Sequence, residues 1–144
     1  MILIDTNLLI YAHNVESPVY DRASVWFKSV LVTAAPVRLA WNSIHGFLRL
    51  TTQPKIFRTP YTTDEATAIV TSWLARPSVR ILEPGDLYWF TLRNLMNKHE
   101  VRGRLVMDAH LAALAIEHGA VLYTADRDFR RFEGLEVKNP LTAG

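Results

Sequence analysis

Residues Leu105–Phe129 read LVMDAHLAALAIEHGAVLYTADRDF, and this stretch decides the fold class. Met107, Leu111, Leu114 and Ala115 share one helix face between about Leu105 and His118. Gly119 stops that helix, and Ala120–Tyr123 follows as a short apolar strand with Asp126 just beyond it. The rest of the chain repeats this alternation. Met1–Ile4 reads as a buried strand ending at Asp5, and Thr6–His13 continues as a short helical turn. Ser17 and Pro18 resemble a cap and first residue of a helix carrying Ala23, Trp26, Phe27, Val30 and Leu31. Val37–Trp41 is the expected second strand, and Ile44, Phe47 and Leu48 mark the third helix.

Thr52–Pro60 reads as a loop. Thr62 and Glu65 form a capping-box pattern before a helix bearing Ala66, Ile69, Val70, Trp73 and Leu74. Val79–Leu82 is the next expected strand, Asp86 the expected cap of a helix carrying Tyr88, Leu92, Leu95 and Met96, and Leu135–Val137 a last short strand. Short apolar strands alternating with amphipathic helices predict an α/β fold, a central parallel sheet flanked by helices on both faces. Residues 1–144 form one expected domain, since no linker, repeat or low-complexity tract divides them.

Composition narrows the chemistry. The chain has no cysteine, which excludes disulfides, thiol nucleophiles and zinc–thiolate sites. A net charge of +2 is too small to argue for a polyanion partner by itself. The apolar runs are too short to span a bilayer and MILIDTN lacks the pattern of a signal peptide, so a cytoplasmic protein is expected.

Ligands of parallel sheets bind beyond the carboxyl ends of the strands, where Asp5 and Asp126 fall. Asp108 joins them from the first turn of an apolar, alanine-rich helix. Ionised carboxylates brought together repel, and a hard divalent cation such as magnesium resolves that repulsion while activating water at a phosphate. A second reading stands beside this for each residue: Asp108 as the cap of its own helix, and Asp126 with Asp128 as turn builders.

IDTN (Ile4–Asn7), MDAHLAALA (Met107–Ala115) and LYTADRDFRRF (Leu122–Phe132) occur in the order and spacing of the PIN-domain family, and the likeness continues to GLEVKNPL near the end. Together they resemble the VapC toxins of bacterial VapBC toxin–antitoxin modules. The resemblance implies a PIN fold and an endoribonuclease hydrolysing RNA phosphodiester bonds with magnesium, or manganese in its place. It also implies inhibition by a cognate VapB-type antitoxin, and relatives of this kind are often homodimers. By position, Asp5, Asp108 and Asp126 match catalytic, metal-binding acids, Asn7 and Thr124 match supporting polar residues, and Asp128 matches a supporting second acid. The family usually carries a glutamate in the third helix, where HGFLRL places Gly46. That departure leaves an alternative reading, a catalytically weakened PIN-fold module that binds RNA or antitoxin. Gly46→Glu is expected to tighten metal binding, and to add stability where the backbone allows.

Lys98, His99, Arg102 and Arg104 run into the helix of Asp108, and Arg127, Arg130 and Arg131 follow Asp126. Arg102, Arg104, Arg127 and Arg130 are the expected RNA-phosphate contacts. Trp26 and Trp73 are expected in the core or a partner interface, and Trp41 and Trp89 as partly exposed. His13, His45, His110 and His118 show no metal-ligand spacing. A phosphate-cradling loop and the D-x-D pattern of aspartyl-phosphate enzymes are both missing.

Overall fold

Apolar runs of two or three residues are too short to stand alone, and each gains its hydrogen bonds from a parallel neighbour. A computed structural model describes residues 1–33 and 35–142. Its strands are β1 (Ile2–Ile4), β2 (Val37–Leu39), β3 (Val79–Ile81), β4 (Val121–Tyr123) and β5 (Val137–Lys138). They form one parallel sheet in the order β3-β2-β1-β4-β5. Ile2 stands beside both Val37 and Val121, which sets β1 at the centre. The chain builds outward from β1 to β3 and then returns to its other side at β4. The crevice of an open α/β sheet lies at such a reversal, beyond the strand ends.

Helices cover both faces, as a parallel sheet requires. One face carries α1 (Thr6–Tyr11), α2 (Tyr20–Val32), α3 (Trp41–Thr51) and α4 (Thr63–Leu74), packed through Leu8, Phe27, Phe47 and Trp73. The other carries α5 (Tyr88–Lys98) and α6 (Leu105–His118), packed through Leu92, Leu95, Leu111 and Leu114. Trp73 is buried against Phe27, Phe47 and His13, and Trp26 stacks on Tyr123. Trp41 and Trp89 are exposed.

Local signals decided several boundaries. The Thr62–Glu65 box closes in both directions, at 2.9 and 3.1 Å. Gly119 ends α6 in the left-handed region at φ 66°. Four expectations need correction. Ser17 and Pro18 lie in a turn whose Ser17 hydroxyl accepts from Val19 N–H (3.3 Å), and α2 starts two residues later, after the uncapped Val19. Asp86 does not cap α5. Glu117 at the far end of α6 takes the Gly85 and Leu87 N–H groups instead, at 2.8 and 3.0 Å. The second strand stops at Leu39, and Trp41 opens α3. The last strand is Val137–Lys138, shifted to where it pairs with Leu122 and Tyr123.

Gly46 has a packing reason. A β-carbon there would stand 2.9 Å from Thr6 Cγ2 and 3.2 Å from Thr6 Oγ1, so α1 and α3 touch where a side chain would begin. Thr6 is also anchored, donating to the Ser43 carbonyl at 3.4 Å. The stability gain expected from filling Gly46 is therefore overturned, because the added carbon overpacks a closed contact.

Candidate active site

The strand ends deliver the first half of the site. Asp5 follows β1 in an extended conformation and caps α1, its Oδ1 accepting the Thr6 N–H at 2.7 Å. Thr124 follows β4 and is 1% exposed. Its hydroxyl donates to Asp5 Oδ2 at 2.8 Å and accepts from Asn7 Nδ2 at 3.2 Å and Asp126 N–H at 3.0 Å. Asn7 Oδ1 in turn accepts the Ala125 N–H at 3.3 Å. One buried hydroxyl thus ties β1, α1 and β4 into a single unit. Asp126 Oδ1 accepts the Asp128 N–H at 2.9 Å and caps a 3-10 turn, Arg127–Arg131. The turn-building reading of Asp126 is therefore correct as far as it goes, and among the described residues the second oxygen of that carboxylate accepts no hydrogen bond.

Asp108 is different. It stands in the first turn of α6, whose N-cap has no side-chain hydrogen bond, so it does not cap its own helix. Among the described residues its carboxylate accepts no hydrogen bond. Burial raises its pKa, the charges of Asp126 and Asp128 raise it further, and Arg131 and Arg104 draw it down. The Asp5 carboxyl is pushed up to about 6, chiefly by burial and then by Asp108 and Asp126, against the lowering effect of its bonds to Thr124 and Thr6. These mutual effects bring Asp5, Asp108, Asp126 and Asp128 into one field of excess negative charge.

The set offers only oxygen donors, as a hard divalent cation prefers. In the first turn of α3, Asn42 Oδ1 and Ser43 Oγ are buried side-chain atoms with no hydrogen-bond partner among the described residues. Among the described residues no trio of His, Cys, Asp or Glu is drawn into ligating distance. The charge and the oxygen-only donor chemistry of Asp5, Asp108 and Asp126 fit a hard divalent cation.

Arg102, Arg104, Arg127 and Arg130 are all exposed, and the last two line a cleft of about 80 Å³ with Asp126 and Thr124. Lys98 is not free for a substrate, since it pairs with Glu133, whose N–H donates to His99 at 3.3 Å. Arg131 is the site residue that sequence reading undervalued. It donates to the Asp128 carbonyl at 3.1 Å, pairs with that carboxylate at 3.9 Å and acts on Asp108. Only its i,i+3 spacing from Asp128 could have singled it out from its basic neighbours. The histidines stay outside the cluster: His110 bonds Tyr88, His118 bonds the Glu83 carbonyl, and His13 bonds the Leu9 carbonyl.

Comparison with known proteins agrees with this architecture. The family model described as PIN domain matches residues 2–135. The chain is 33% identical over 139 residues to Ribonuclease VapC48 of Mycobacterium tuberculosis, covering 96% of each. It is 36% identical over 140 residues to Ribonuclease VapC37 of the same species, covering 97% of each. The fold resembles the crystal structure of VapBC2 from Rickettsia felis bound to a DNA fragment from their promoter, with a TM-score of 0.71 at 18% identity, over 96% of this chain and 98% of that one. With the family model spanning most of its length and ribonucleases aligned end to end, the chain belongs to the PIN-domain family, beside its VapC-type ribonucleases.

Proposed function

We propose that the chain is the toxin of a type II toxin–antitoxin pair, an endoribonuclease that hydrolyses RNA phosphodiester bonds with magnesium, or manganese in its place. The observation that carries this reading is the partly buried Asp108 carboxylate, which has no hydrogen-bond partner among the described residues and faces the charge of Asp126 and Asp128. A buried, unpaired charge is costly and persists where function needs it. Asp5, Asp108 and Asp126 would hold the ion. Bound there, it supplies Lewis-acid stabilisation of charge on the phosphate and lowers the pKa of a water.

The chain's own residues do the rest. Thr6 N–H and the Thr124 hydroxyl fix both oxygens of Asp5, so that carboxylate needs no reorganisation when the ion arrives. Asn7 holds the Thr124 hydroxyl and Ala125 N–H, keeping the end of β4 against α1. Asp128 holds Arg131 at the rim as a supporting residue. Arg102, Arg104, Arg127 and Arg130 surround the acids with positive charge, which positions RNA phosphates without reading sequence.

A VapB-type antitoxin is the proposed partner and a homodimer the proposed assembly, in the cytoplasm. No helix among the described residues is long and apolar enough to cross a membrane. One observation favours a second reading, a weakened binding module: the Thr6 side chain occupies the space where an acid at Gly46 would start. Incubating purified protein with RNA in magnesium and in EDTA separates the two. Magnesium-dependent cleavage supports the enzyme, and RNA binding without cleavage supports the module.

A further inference from the structure

From the exposed side chains beside the strand ends, we infer that Trp41, which lines one groove with Arg80, is a stacking platform for an unpaired base of the RNA substrate. The inference rests on the ribonuclease reading and extends it to a surface across the sheet from the Arg102–Arg104 and Arg127–Arg130 clusters. Trp41 is the first residue of α3, two residues beyond the end of β2. Leu3 stands beside Arg38 in the β1–β2 register, so Asp5 is level with Ala40 and Trp41 comes one residue later, on the next strand. With strands about 4.8 Å apart, one RNA chain spans both positions.

The side chain is free for such use. Trp41 is 46% exposed, and His45 stacks on it with ring centroids 6.2 Å apart and planes 28° apart. A large exposed aromatic ring held by a second ring presents a rigid π-face at little entropic cost. Below it runs an open groove of about 570 Å³ lined by Leu74, Arg76, Pro77, Arg80 and Ile81. Its only charged lining residues are the two arginines. Both arginines are exposed, and Arg76 also donates to the Leu31 carbonyl at 3.2 Å. Positive charge beside an exposed ring suits a polyanion with stackable bases, and such platforms bind single strands with little sequence preference.

The molecule supplies its own control. Trp89 is 66% exposed, and Leu87 and Phe90 beside it are 63% and 57% exposed. They open α5, however, where Glu117 near the end of α6 holds the Gly85 and Leu87 N–H groups. Asp108 lies nine residues earlier along α6, about 13 Å away at 1.5 Å per residue. That patch stands at the opposite end of the sheet from the acids.

The test is fluorescence anisotropy with a labelled twelve-nucleotide polyadenylate RNA in EDTA, where cleavage cannot proceed, at several salt concentrations. Trp41→Ala weakens binding by about 5- to 100-fold with an unchanged salt slope, since a base contact and no phosphate contact is lost. Trp41→Phe restores most of the affinity. Arg80→Ala lowers the salt slope by about one unit. Trp89→Ala binds as the wild type does. Wild-type affinity in a folded Trp41→Ala protein overturns the inference alone, as does equal weakening by Trp41→Ala and Trp41→Phe. Unchanged RNA affinity with weakened self-association or antitoxin binding would assign the face to a protein partner and overturn it too. Failure of the wild type to bind this RNA overturns the inference, and magnesium-dependent cleavage of RNA by the same preparation would leave the ribonuclease reading standing.

Discussion

Asp5 and Asp108 carry the same functional group into the same field of negative charge, and the fold treats them in opposite ways. Asp5 has both oxygens hydrogen-bonded, one to the helix it caps and one to the buried Thr124 hydroxyl. Asp108 stands on an apolar helix with no such partner among the described residues, its carboxyl raised by burial and by its acidic neighbours. The first is part of the scaffold as well as the site. The second has no hydrogen bond of that kind among the described residues and is tied to the fold only by its place in the first turn of α6 and by the charges of Arg131 and Arg104. Mutations at the two corners should therefore separate stability from activity.

The largest expected effect is at Asp108. Asp108→Asn should reduce RNA cleavage at least about 100-fold, because an amide removes charge where the transition state is stabilised. The same change should leave the melting temperature of the metal-free protein unchanged or raised. Asp5→Ala should lose activity and also about 1–2 kcal/mol of stability, the usual cost of losing a helix cap. Equal stability losses at the two positions, measured by urea denaturation, would break the distinction.

The pH dependence follows from the sign of the shift. The Asp5 carboxyl is pushed up to about 6 in the fold, above the ordinary carboxylate range, so the folded state binds the proton more tightly than the unfolded chain. Its contribution is complete below pH 4 and is lost as pH rises through 6, on the order of 3 kcal/mol in the metal-free protein. Asp108 shifts in the same direction and adds to the effect. His13, whose pKa is lowered by burial, works the other way across part of this window. The comparison is therefore wild type against Asp5→Asn, and the stability of the wild type relative to the variant should rise toward acid, by up to about 3 kcal/mol between pH 7.5 and 4. A difference that is constant from pH 4 to 7.5 would contradict a raised Asp5.

Smaller effects sharpen the scaffold side. Thr124→Val keeps the shape and removes a hydroxyl with three partners, which should cost about 2 kcal/mol, with Thr124→Ser recovering most of it. Gly46→Ala should destabilise by about 1 kcal/mol even though alanine is the better helix former, because its β-carbon meets Thr6. In a Thr6→Ala background the crowding atoms are gone and the sign should reverse. Additive effects of the two substitutions in a double-mutant cycle would show that they do not touch.

The parts of this molecule governed by local spacing were legible in the sequence. The Leu105–His118 helix, its Gly119 stop, the Thr62–Glu65 box and the alternation that demands a parallel sheet all follow from contacts within a few residues. The acids were legible as strand-end and helix-start residues, and their influence on one another's charge follows from topology. The remainder depends on distant partners. Ser17–Pro18 and Asp86 have the chemistry of helix starts, yet neither starts a helix, and Glu117 supplies α5 with acceptors from thirty residues away. Gly46 reads as a weak point in a helix until Thr6 is seen against it, and Lys98 reads as a free cation until Glu133 takes it. Arg131 gains its place from Asp128 and Asp108 together, a grouping that no run of sequence displays.

The central claim is that Asp108 stands unpaired in order to hold a metal, and magnesium-dependent thermal stabilisation tests it without requiring the RNA substrate. At pH 7.5, above the raised pKa of Asp5, millimolar magnesium should raise the melting temperature of the wild type, since a ligand that binds only the folded state stabilises it. Asp108→Asn should abolish most of that rise while retaining the metal-free melting temperature. An equal magnesium-induced rise in wild type and Asp108→Asn would contradict the account.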